Sequence, residues 1–128
     1  MSTFLWVAFL VAHGLLHLAI WLPRPEPDPD RPPPFEPDHS GVLTALHVPT
    51  TTTHRLSTTI AVVAAVSYVV AGLGVALSTS WVVGATVVAA VVGIVLKAVY
   101  FHPWLTIGLA LDGLVLSAAL ASWPIALP

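Results

Sequence analysis

His13 and His17 stand four residues apart inside an apolar opening segment, and four residues is the spacing that puts two side chains on one face of a helix. Two imidazoles so placed can share a transition-metal ion, take part in proton transfer, or hydrogen-bond across to a neighbouring helix. Zinc needs further ligands, and Asp112, His102, His54 and His47 are the candidates, with His13, His17 and Asp112 the leading set. Gly14 follows His13 where the zinc-protease motif carries Glu, so a metalloprotease is not implied. A b-type haem fits less well than a divalent metal. Its two imidazoles belong on facing helices at one depth, whereas His13 and His17 share a helix and His102 falls at a segment edge. An ionisable group in an apolar spanning helix is itself a functional-site hypothesis, and hydrogen bonding that fixes helix packing is its plainest explanation.

The elements that must position these residues follow from composition. The chain has 128 residues, 57% of them hydrophobic and 8% charged, with mean hydropathy +0.93, too little polar surface for a soluble domain. It reads as an all-α integral membrane four-helix bundle, since helices satisfy their own backbone in lipid. The lipid bilayer is then its first partner, and a net charge of -2 gives no reason to expect nucleic acid. The absence of cysteine excludes disulfides, thiol chemistry and c-type haem attachment.

Four apolar segments approach the ~20 residues that a ~30 Å hydrocarbon core requires: about 3–22, 56–77, 81–101 and 103–127, within a single transmembrane domain spanning 1–128. The first has no Lys or Arg ahead of it and no small-residue cleavage site after it, so it reads as a span and not a secretory signal. Residues 23–54 form a proline-rich extramembrane loop, with eight of the 12 prolines between Pro23 and Pro37. Its simplest form is a stiff, solvated polyproline II spacer. Residues 40–48 are apolar enough to lie on the membrane surface or fold back over the bundle mouth. Arg24, Arg31 and Arg55 belong to this loop and Lys97 ends the third segment on the same side. The positive-inside rule puts that face in the cytoplasm of a multi-pass cell-membrane protein, both termini outside.

Counting ~1.5 Å per residue from the loop face puts His13 and Asp112 each ~14 Å deep, while His17 and Lys97 lie ~7 Å deep, shallow enough for Lys97 to snorkel. Ser67 and Tyr68 fall near the deeper level. At ~100° per residue, Trp6, Leu10, His13, His17, Ile20 and Arg24 share one stripe, and Thr86, Ala90, Gly93, Lys97 and Tyr100 another. Asp112 lies in line with Gly108, Leu105 and Ala119. The stripes predict a polar cluster of His13, His17, Asp112, Lys97, Tyr68 and Arg55 inside the bundle.

The run Ala12-His13-Gly14-Leu15-Leu16-His17-Leu18, an Arg55-led second helix and Asp112 in the fourth resemble small four-helix membrane proteins of actinobacteria, with a looser similarity of layout to DoxX-like proteins. The resemblance covers most of the chain apart from the proline-rich loop. It implies a fold and a location and matches His13, His17, Arg55 and Asp112, without implying an activity. Three functions remain open from the residues. The first is a non-enzymatic membrane module or accessory subunit, in a homo-oligomer or larger membrane complex, with Gly72 and Ala76 or Ala61 and Ala65 as close-contact surfaces. The second is a metal- or small-ligand-binding enzyme acting on a lipid-phase substrate, and the third a proton-coupled transport element.

Overall fold

Ser2 opens the first helix: its hydroxyl accepts from the Leu5 amide at 3.4 Å, and α1 (Thr3–Trp21) then runs 19 residues without Asp, Glu, Lys or Arg. A computed structural model of the chain describes residues 2–23, 25–26, 28–33 and 35–122. After α1 come α2 (Gly41–Ala45), α3 (Thr50–Ala76), α4 (Val82–Val99), a 3₁₀ turn (Pro103–Leu105) and α5 (Thr106–Leu120), with no strand among the described residues. Four helices, α1, α3, α4 and α5 with its leading turn, are long and apolar enough to cross a membrane.

The boundaries differ from expectation for local reasons. α3 begins at Thr50, not near 56, because Pro49 supplies a fixed φ of -56° at the N-cap and the hydroxyls that follow satisfy themselves inside the helix. Thr53 Oγ1 donates to the Pro49 carbonyl, Thr59 Oγ1 to Arg55 and Ser67 Oγ to Val63. α4 stops at Val99, short of 101, because His102 precedes a proline and is extended (φ -144°, ψ 146°). α5 ends at Leu120; the expected continuation to 127 reaches residues 123–128, which lie outside the described residues.

Small side chains set how closely the helices approach. α1 packs on α3, α3 on α4 and α4 on α5. Along the first interface the Thr58 hydroxyl donates to the Trp21 carbonyl, Gly14 meets Ala65 and Tyr68, and Gly72 meets Val7 and Val11, an antiparallel register. Ala61, Ala64, Ala65 and Ala71 are buried along α3, while Ala76 is exposed. Large apolar residues such as Leu16, Val66, Val88, Val95, Ile107 and Leu114 point outward. Such an exterior suits lipid and not water.

The loop after α1 is no free spacer. Trp21 Nε1 donates to the Pro37 carbonyl at 2.7 Å, Phe35 stacks on His102 with centroids 4.8 Å apart, and Ser40 Oγ donates to the Val99 carbonyl at 2.6 Å. Ser40 also caps α2 by accepting from the Leu43 amide, and His47, at φ 58°, turns the chain out of that helix toward α3. Residues 40–48 therefore fold back over one end of the bundle. One proline-rich segment, three apolar or hydroxyl anchors and a short capped helix suffice to hold it there.

Candidate functional site: a polar layer shared by four helices

Asp112 on α5 is fully buried, and a carboxylate there needs donors from every side. It has them. His13 of α1 lies 2.7 Å from Oδ1, Tyr68 of α3 donates its hydroxyl to the same oxygen at 2.5 Å, and Lys97 of α4 donates to Oδ2 at 2.6 Å. The Lys97 ammonium also reaches His17 Nε2 at 2.7 Å and sits 5.9 Å over the Trp21 ring. The two depth layers anticipated from counting are thus joined through Lys97.

Geometry fixes one tautomer. His17 Nδ1 is 2.9 Å from the His13 carbonyl, which only accepts, so Nδ1 carries the proton and Nε2 presents its lone pair to Lys97. The ammonium consequently bridges an imidazole and a carboxylate, the position a cation would take between the same two groups. His13, His17 and Asp112 each offer a ligand atom within 4.8 Å of the others. His13 and Tyr68 rings meet edge to face at 4.9 Å, and His17 stacks on Tyr68 at 5.5 Å. Apolar layers seal both ends: Leu10, Ala71, Ala89 and Val115 on one side, Ala61, Leu96, Tyr100 and Leu105 on the other.

Of the six residues expected to converge, five do. Arg55 does not: it stands thirteen residues before Tyr68 on α3, ~20 Å along the helix axis, and is exposed near the loop. Lys97 turns inward instead of snorkelling and is 3% exposed. Ser67 bonds its own helix and stays outside the cluster. None of the three other histidines weighed as ligands reaches it. His54 pairs with Asp38 at 3.2 Å, His102 caps the Trp104 amide and stacks on Phe35, and His47 is exposed beyond α2. Arg24, expected on the His13–His17 stripe, lies outside the described residues.

Two further residues belong to the site, Gly93 and Gly108. A Cβ at Gly93 would stand 2.7 Å from Asp112 Oδ2, and one at Gly108 2.8 Å from Lys97 Cε. Each glycine precedes one charged residue by a turn and houses the other, in the crossed pair Gly93-x-x-x-Lys97 and Gly108-x-x-x-Asp112. That repeated spacing is the signal by which the sequence could have revealed them. Gly14 does the same for Tyr68, whose Cβ lies 2.7 Å from where a Cβ at 14 would be. Among the described residues, the one buried side-chain polar atom without a partner is Trp6 Nε1, outside this layer. Comparison with protein-family models, curated proteins and solved structures finds no match.

Proposed function

We propose that this chain is a non-enzymatic, multi-pass module of the cell membrane, an accessory subunit or self-associating unit, whose polar layer locks four spanning helices in one register. The observation that carries this reading is the satisfaction of Asp112 by one donor from each of the other three long helices, with Lys97 neutralising its charge in place. A slip of any helix by one residue would strand a buried charge. The loop face is the cytoplasmic one in this reading and both termini lie outside, on the strength of Arg31 and Arg55, with Arg24 in the same loop. Lys97 adds nothing to that count, since it is paired inside.

The test is a mutant cycle on detergent-purified protein. Asp112→Asn leaves Lys97 buried without a counter-charge and is expected to cost about 3–5 kcal/mol. Asp112→Leu combined with Lys97→Met is expected to cost less than the two single changes added. Single variants that unfold like the parent would sink the packing-lock reading. A second reading, divalent-cation binding, rests on the three ligand atoms within 4.8 Å and requires Lys97 to withdraw. Elemental analysis finding one metal per chain would favour it over the first.

A further inference from the structure

A cavity of about 1360 Å³ lies at the loop end of the bundle, between the end of α1 and the first turns of α3, with Trp21 standing between it and the polar layer. Its α3 wall holds one helical stripe, Arg55, Thr58, Thr59, Val62 and Val63, and described residues of the proline-rich loop, among them Glu26, Arg31, Phe35 and Pro37, form the roof. The wall changes character with depth. Among the cavity's charged lining residues are Arg55 and Arg31 and the acids Glu26, Asp28 and Glu36. Asp38 already has a partner, with His54 Nδ1 3.2 Å from its Oδ2. Seven and eight residues beyond Arg55 on α3, ~10–12 Å along its axis, Val62 and Val63 line the cavity, as do Ile20 and Trp21 of α1.

The apolar stripe does not stop at the cavity floor. Val66, Val70 and Leu73 continue it down the outside of α3, all exposed, so the cavity opens onto a greasy track that faces lipid. A water-soluble ligand would leave that track unused. An amphiphile with a polar head at the rim and a chain along α3 matches both halves. The head must carry both signs, because two guanidinium groups suit a phosphate while three carboxylates suit a cation and repel a purely anionic head. A primary ammonium can also donate hydrogen bonds to those carboxylates, which a quaternary one cannot.

We propose that this cavity binds one membrane phospholipid with a zwitterionic, primary-amine headgroup, the phosphate on Arg55 and Arg31, the amine on Glu26, Asp28 and Glu36, and one acyl chain along Val62, Val63 and Val66. The roof loop, held by Trp21 and Phe35, is then the wall that confines the headgroup.

Native mass spectrometry of the full chain, titrated in detergent with phosphatidylethanolamine, phosphatidylcholine or phosphatidylglycerol of identical acyl chains, tests this directly. One phosphatidylethanolamine is expected to stay bound per chain, at least tenfold more tightly than either of the others. Arg55→Gln, an exposed position, should weaken it at least tenfold. Changing Glu26, Asp28 and Glu36 together to their amides should erase the preference over phosphatidylcholine. Circular dichroism melting confirms that both variants are folded. Equal retention of the three lipids, a preference for phosphatidylglycerol, or folded variants that bind like the parent would each overturn the assignment. None of these results depends on the role of the polar layer, whose own test reads stability.

Discussion

At the scale of single residues, the Asp112 carboxylate governs the interior, and its partners differ in what they would cost to lose. Lys97 carries the compensating charge, whereas Tyr68 supplies one neutral hydroxyl to an oxygen that His13 also serves. Tyr68→Phe keeps the ring that packs on both histidines and removes only the donor. It is expected to cost about 1.5–3 kcal/mol, less than Asp112→Asn, as read by thermal or denaturant unfolding in detergent. A cost equal to that of Asp112→Asn would mean the phenol does more than donate. The sequence made His13, His17, Tyr68, Lys97 and Asp112 legible because depth and angle along a helix follow from counting. It misplaced Arg55, which stands thirteen residues before Tyr68 on the same helix, ~20 Å along its axis.

At the scale of elements, glycines decide which helices can carry the layer. Gly93 and Gly108 sit where α4 and α5 receive each other's charged side chains, while Gly84 on α4 and Gly113 on α5 have nothing within 4 Å of an added Cβ. The same substitution should therefore have opposite signs on the same helix. Gly93→Ala must displace the Asp112 carboxylate and is expected to destabilise by about 1–3 kcal/mol. Gly84→Ala gains helix propensity and is expected to stabilise by about 0.5–1 kcal/mol. Melting curves of the two variants beside the parent check the pair; equal shifts would show that Gly93 is not a cradle. The four long helices were readable from apolar length alone. The early start of α3 was not, because a threonine run is compatible with a capping segment or with a helix whose hydroxyls bond back to the preceding turn.

At the scale of the whole molecule, one tryptophan ties the interior to the covering loop. Trp21 lies against His17 and Lys97 on one side, and on the other its indole N–H holds Pro37. Trp21→Phe retains the ring and drops the donor, so the loop is expected to open more often, by roughly three- to tenfold for the loss of one hydrogen bond. Cleavage of the Phe35–Glu36 bond by chymotrypsin, under conditions where the helices resist, measures this; unchanged rates would mean that Phe35 and Ser40 alone hold the roof. Prolines announced a loop without helix or central strand, yet gave no sign that it would be pinned down. That depended on Phe35 finding His102 and on Trp21 finding a carbonyl, pairings of residues distant in sequence.

The polar layer joins positions 13, 17, 68, 97 and 112, and its longest hydrogen bond links residues 99 apart in the chain. During synthesis from the N-terminus, α1 would enter a bilayer with His13 Nε2 unpaired and α4 with an ammonium that finds only His17, and neither meets the Asp112 carboxylate until α5 is made. The layer is therefore complete only once α5 is present. In a bilayer a chain lacking α5 would leave these polar groups without their carboxylate, at a cost that favours insertion of α4 and α5 together, joined as they are by a turn of a few residues.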